Sequence, residues 1–252
     1  MQDADGYEYS APCQPRQVVL EVQGMRVKVR GYRLDDGPTK AGKRRPCQGF
    51  SASSRRNLIG KMSSIGPVAM MDNTRFGSLT WSDEVMPVDG QEAKKRLDTF
   101  WKRCVRRWPT FWCFWKVELE RRKSGALVGL VEPHTHLFFG GVDAPEDVVQ
   151  NEMAIMWLEV NRCSNPDAQV HGVDVIDTYG GPKGVIWYMT KYLGKQVERD
   201  LAIEYGWQGR MWGIVGRKHV PYADKFVGPL PFEVHLQQRR LARSWLACRG
   251  RS

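Results

Sequence analysis

Two long runs of alternating residues stand close together near the middle of the chain. FWCFWKVELERR covers 111–122, ALVGLVEPHTHLFFGG covers 126–141, and only KSG separates them. Successive side chains on a strand point to opposite faces, and aromatic and β-branched residues suit that surface. The short Gly-containing join makes the two runs a long antiparallel hairpin. This hairpin constrains the fold more than any other stretch. Pro133 lacks an amide hydrogen for a ladder, so it marks a bulge or an edge position.

The flanks tell what packs against the hairpin. RFGSLTW (75–81) reads as a strand ended by SDE, and GQEAKKRLDTFWKRCVRRW (90–108) as an amphipathic helix. Leu97, Phe100, Trp101, Cys104 and Trp108 form the apolar stripe of that helix, and Pro109 stops it. APEDVVQNEMAIMWLEVNRC (144–163) is a second amphipathic helix with acids in its first turn. QVHGVDVIDTY (169–179) alternates as a strand, GGPKGVIWYMTKYLGKQVERDLA (180–202) runs from Gly and Pro into a helix, and RMWGIVG (210–216) is the last core strand. The order implies an α+β fold, with a central, mostly antiparallel sheet of about five strands and flanking helices. Neither GxGxxG nor GxxxxGK[ST] occurs, so no nucleotide-cofactor loop is indicated.

Residues 1–50 read as an N-terminal extension. VVLEVQGMRVKVRGYRL (18–34) has the pattern of a hairpin turning near Gly24, and DDGPTKAGKRRPCQG (35–49) that of a basic loop. SASSRRNLIGKMSSI (51–65) offers serine N-caps and helical spacing of Leu58, Ile59, Met62 and Ile65. The expected division is an extension over 1–50, a core domain over 51–217 and a basic tail over 218–252, helix-prone over 235–252.

Lysine and arginine number 38 against 28 acidic residues in 252, a net charge of +10. That surplus favours a polyanionic partner, nucleic acid first. Candidate contacts are Arg103, Arg106 and Arg107 on the first core helix, Lys43, Arg44 and Arg45 in the loop, and the tail. Trp101, Trp108 and Trp157 are expected in the core. The six cysteines include no CxxC pair, which argues against a zinc ribbon or finger. The first residues are acidic and polar, and no run reaches the length of a membrane span. The expectation is a reduced, cytoplasmic protein with no membrane partner.

His134 and His136 alternate on one strand, so their imidazoles share a face. Two such imidazoles can chelate one divalent cation when a carboxylate joins them. Glu118 and Glu120 on the paired strand and Glu132 on the same strand are the candidates. A site with two histidines, one carboxylate and open positions suits Mn²⁺ or Mg²⁺ acting on a phosphate oxygen, with the histidines favouring Mn²⁺. In WYMTKYLGK (187–195), Tyr188 and Tyr192 lie one helical turn apart, and Lys191 and Lys195 follow each by three residues. A nearby ammonium favours the phenolate and offsets charge on an attacked phosphate.

Together these segments resemble the HUH-superfamily rolling-circle replication initiators, nearest the two-tyrosine phage and plasmid group. FGSLTW (76–81) looks like the family's first strand motif, HTH (134–136) like its metal-binding histidine pair, and YMTKYLGK (188–195) like its tyrosine motif. WKVELERRKSG (115–125) is similar to the strand preceding the histidines, whose glutamate follows a tryptophan by three, and this singles out Glu118. GRMWGIVGR (209–217) resembles a stretch that follows the tyrosine helix. The departures are Thr135 in place of a bulky aliphatic, a longer interval from Glu118 to His134, and no match over 1–50. The resemblance implies an RRM-like HUH endonuclease. Metal ligands His134, His136 and Glu118 would serve the tyrosine nucleophiles Tyr188 and Tyr192, with Lys191 and Lys195 assisting. The implied partners are single-stranded DNA or an origin hairpin, and a host helicase and polymerase in a bacterial cytoplasm. HUH transposases and mobilisation relaxases carry the same motifs. A non-catalytic nucleic-acid-binding protein and a phosphoesterase that uses water are the rival classes.

Overall fold

The long hairpin forms in the computed structural model of the chain, which describes residues 17–32, 49–165, 168, 171–178, 184–185, 191, 199–231, 233–234, 236–237 and 240. Its elements are β1 (Gln17–Gln23), β2 (Arg26–Tyr32), α1 (Ala52–Met62), β3 (Arg75–Leu79), α2 (Gly90–Arg107), β4 (Trp112–Arg121), β5 (Val131–Gly140), α3 (Glu146–Asn161), β6 (Val173–Asp177), α4 (Arg199–Glu204), β7 (Trp212–Val215) and β8 (Lys225–Leu230). The fold is α+β. A five-stranded sheet runs β6-β3-β5-β4-β7 and a three-stranded sheet runs β2-β1-β8. Every pairing in both sheets is antiparallel. The chain divides into two compact units, residues 1–43 with 224–252, and residues 44–223.

In the larger unit, β4 and β5 pair without a bulge from Trp112↔Gly140 to Arg121↔Val131. Pro133 is an edge position for a simple reason. β3 reaches only as far as Thr135, so at Pro133 β5 has one neighbour. The second run enters the sheet at Val131, five residues later than its pattern implied. Gly125 and Gly129 both take positive φ, and Val128 and Leu130 stay exposed, so the join is a wide turn and not KSG alone.

Helices α2 and α3 cover one face of this sheet. Asp89 caps α2 by accepting from the amides of Gln91 and Glu92, both at 2.8 Å. The expected stripe of Leu97, Phe100, Trp101, Cys104 and Trp108 is buried. Trp101 stacks on Trp115 of β4, and Phe100 meets Trp157 of α3 edge-on at 5.3 Å. Ser51 caps α1 as its sequence implied, accepting from Ser54 N at 3.1 Å. No helix among the described residues is long and apolar enough to cross a membrane.

In the smaller unit, the hairpin turning at Gly24 forms as expected, with Gly24 at φ +56°. Its third strand comes from the far end of the sequence. KFVGPL, within the stretch expected as a basic tail, pairs along β1 from Val18↔Leu230 to Gln23↔Lys225. Gly and Pro hid this strand from the sequence pattern. An edge strand tolerates Pro229 because one of its sides carries no ladder.

Cys104 and Cys113 are free thiols in the core, and burial pushes both thiols well above their ordinary value of 9.0. An unfolded chain ionises them near that value, whereas the folded chain keeps them protonated. Stability is therefore expected to fall as pH rises above about 9, by up to ~1.4 kcal/mol per pH unit per thiol. Urea unfolding between pH 8 and 10 checks this. Cys113→Ala is expected to give a shallower decline than the parent, and an equal slope would refute the assignment.

Candidate functional site

The unbroken register of β4 and β5 decides which side chains meet. Glu118 sits opposite His134, Lys116 opposite His136, and Glu120 opposite Glu132. On the outer side of β5, Ser78 of β3 lies opposite His136 and Asp174 of β6 opposite Ser78. One face of the sheet thus changes character along its length. Phe76, Phe114, Phe138 and Trp112 fill one half, with ring centroids 5.3–6.1 Å apart. The ionisable residues fill the other half.

Each histidine is held by a carboxylate. His136 Nε2 lies 2.9 Å from Glu118 Oε2, and His134 Nε2 lies 2.8 Å from Glu132 Oε1. An ionised carboxylate only accepts, so Nε2 of each ring carries the proton. The other ring nitrogen, His134 Nδ1, lies 3.3 Å from the Thr80 hydroxyl. Thr80 is itself fixed. Its amide donates to Gly172 O at 2.8 Å, and its carbonyl accepts from the Trp157 indole at 2.8 Å. Glu118 is 5% exposed and Lys116 is wholly buried, its ammonium 5.1 Å above the Phe50 ring.

A second layer holds Glu132. Arg122 Nη1 donates to Glu132 Oε2 at 2.5 Å and to Trp81 O at 3.3 Å, while Nη2 lies 2.5 Å from Asp83 Oδ1. Asp83 Oδ2 accepts from Ala126 N at 2.7 Å, which ties the wide hairpin turn to the same cluster. The chain Asp83–Arg122–Glu132–His134 orients one imidazole from outside the histidine face. The equivalent group at His136 is Glu118.

Among the described residues, no group of three or more His, Cys, Asp or Glu side chains is arranged to hold a metal ion. The donors nevertheless fit one in kind. Two imidazoles and two carboxylates on one face are ligands suited to Mn²⁺, and the carboxylates now sit on the nitrogens a cation takes. Ligation requires each ring to exchange its carboxylate contact for the cation. Glu132 is anchored by Arg122 through its other oxygen, whereas Glu118 lies directly across the ladder from His134 and bonds His136. Glu120 lies across from Glu132, with neither histidine opposite it.

Tyr188, Tyr192 and Lys195 lie outside the described residues, and Lys191 is helical and exposed. Tyr205 and Tyr222 have described side chains, and neither suits a nucleophile. Tyr205 donates its hydroxyl to Pro87 O at 2.9 Å, and burial pushes both phenols above their ordinary value. A phenol so placed keeps its proton. Two expected DNA contacts are also engaged. Arg103 pairs with Glu159 and Arg107 with Glu152, joining α2 to α3. Arg106 donates to its own helix, at Lys102 O.

Thr80 lies within FGSLTW, and Lys116 and Arg122 within WKVELERRKSG, but the motifs assign them no role. Lys116 shares the parity of Glu118 on β4, and that signal was in the sequence. Arg122 and Thr80 lie just past strand ends, where parity gives no guide. No protein-family model matches the chain, and neither a curated protein nor a solved structure matches it.

The Arg122 cluster is mostly buried, so removing its cation leaves Glu132 uncompensated. Arg122→Met is expected to lower stability by about 2–4 kcal/mol in urea unfolding. Adding Glu132→Gln is expected to restore part of that loss. Strictly additive losses would show that the two side chains are not coupled.

Proposed function

We propose that the protein is an HUH-type replication initiator that nicks and rejoins single-stranded DNA through a 5′-phosphotyrosine. The observation that carries the reading is the β4–β5 register, which gathers His134, His136, Glu118 and Glu132 on half of one sheet face. His134, His136 and Glu118 would hold a divalent cation, Mn²⁺ in preference to Mg²⁺, and that cation would supply Lewis-acid polarisation of a phosphate oxygen. The buried Lys116 ammonium adds positive charge opposite His136.

The nucleophile is the phenol oxygen of Tyr188 or Tyr192. It attacks phosphorus and gives up its proton, the bond from phosphorus to the 3′ oxygen breaks, and that oxygen takes up a proton. One phosphodiester becomes one tyrosyl ester and a free 3′ hydroxyl, so the bond energy is kept and no ATP is consumed. Lys191 and Lys195, each three residues after a tyrosine, would favour the phenolate. The free 3′ end serves a host polymerase, and a host helicase separates the strands, in the cytoplasm of a bacterium carrying the plasmid or phage. The second tyrosine cleaves the regenerated junction and returns the strand for joining.

Incubation with 3′-labelled single-stranded oligonucleotides carrying hairpins, with and without Mn²⁺, tests this. A 5′-phosphotyrosine keeps the 3′ label on the protein, so a labelled band at protein mass is expected in denaturing gels. The band is expected to fall at least ~100-fold in His136→Ala and in the double variant Tyr188→Phe/Tyr192→Phe. Calorimetry with Mn²⁺ is expected to find one site in the parent and none in His136→Ala. Cleavage without an adduct would assign the site to a water-using phosphoesterase. Binding without either product would leave a non-catalytic nucleic-acid-binding protein.

A further inference from the structure

Beside the histidine pair lies a cleft that the strand-transfer chemistry does not use. Its volume is about 320 Å³, and Thr80, Trp81, Asp83, Arg122, Ala168 and His171 are among its lining residues. Two of them connect directly to the histidine face. Thr80 Oγ1 contacts His134 Nδ1, and Arg122 holds the carboxylate that holds His134 Nε2. Whatever occupies the cleft therefore sits next to whatever His134 touches.

The lining is that of a pocket for a flat, polar-edged ring. Its volume is at the lower end for small-ligand sites, enough for a nucleobase and too little for a folded segment. The Arg122 guanidinium is fixed by Asp83 and Glu132, so it presents a rigid plane with no ordering cost on binding. His171 is exposed at the rim and makes no hydrogen bond among the described residues. Unpaired bases are commonly held by stacking on imidazole or guanidinium planes with hydrogen bonds to their edges.

We propose that this cleft receives one unpaired nucleobase of the strand whose phosphodiester lies at His134 and His136. The proposal rests on the strand-transfer reading of that site. The base fixes the register of the strand, so that one phosphate and not its neighbour meets the histidines. Base recognition and phosphate chemistry then occupy adjacent sites joined by Thr80 and by the Arg122–Glu132 pair.

The test uses the full-length protein and fluorescent single-stranded oligomers of dT, dA and dC, each compared with a fully abasic oligomer of equal length. Ala168→Leu fills the cleft and touches neither histidine. It is expected to weaken binding of at least one base-bearing oligomer by about tenfold and to leave the abasic oligomer unchanged. His171→Ala, whose exposed ring has no structural partner among the described residues, is expected to show the same selective loss, about threefold. It decides the matter if Ala168→Leu fails to fold. Equal binding of base-bearing oligomers by the parent and a folded variant would overturn the base pocket. Should the labelled adduct still form in that case, the strand-transfer reading stands without it. Failure of the parent to bind any oligomer would overturn both.

Discussion

The hydrogen-bonded ladder between β4 and β5 governs the site, because strand alternation has a period of two. With Glu118 opposite His134 and Lys116 opposite His136, every ionisable residue of the hairpin's middle falls on one face. A slip of one residue sends Val117, Leu119 and Thr135 there instead, and the imidazoles under α2 and α3. Two features hold the register. The aromatic half of the same face locks Phe114, Phe138 and Trp112 against one another. On the far side of β5, β3 pairs from Phe139 to Thr135 and fixes the same register independently.

Burying this many charges is costly unless each finds a partner. The molecule meets that cost by pairing in layers. Glu118 bonds His136, Glu132 bonds both His134 and Arg122, and Arg122 forms an ion pair with Asp83. The outer layer is anchored to backbone, through Trp81 O and Ala126 N. Trp81 is held in turn by Asn161 of α3, which also accepts from Arg96 of α2. The histidine face is thus coupled to both helices on the opposite side of the sheet through the end of β3. The aromatic neighbours lower the local dielectric, which strengthens each pair and raises the penalty for breaking one.

Much of this was legible before any coordinates. The period-two runs gave the hairpin, the 3.6-period stripe of Leu97, Phe100, Trp101 and Cys104 gave α2, and parity put His134, His136, Glu118, Glu120 and Glu132 on one face. Parity could not choose among the carboxylates, because the choice depends on cross-strand register and on Arg122, which sits beyond the last residue of β4. Strand β8 was hidden because its six residues contain both Gly and Pro, and its partner lies some two hundred residues earlier in sequence. The arginines of α2 were legible as charge but not as contacts, since Glu152 and Glu159 come from a separate helix.

Those arginine pairs differ in kind from the Arg122 cluster, and the difference bears on how a polyanion is met. Arg107 and Glu152 are 55% and 28% exposed, and exposed ion pairs contribute only about 0–1 kcal/mol. A phosphate could compete for such an arginine at little cost, so pairing with α3 leaves these arginines open to an anion. Arg122 and Glu132 are 18% and 13% exposed, and drawing that arginine away strips the part-buried Glu132 of its arginine partner. Arg122 therefore cannot serve as a mobile phosphate clamp. On the proposed reading its fixed plane would meet a base and the exposed cations would meet the backbone, so added salt would weaken the second contact and spare the first.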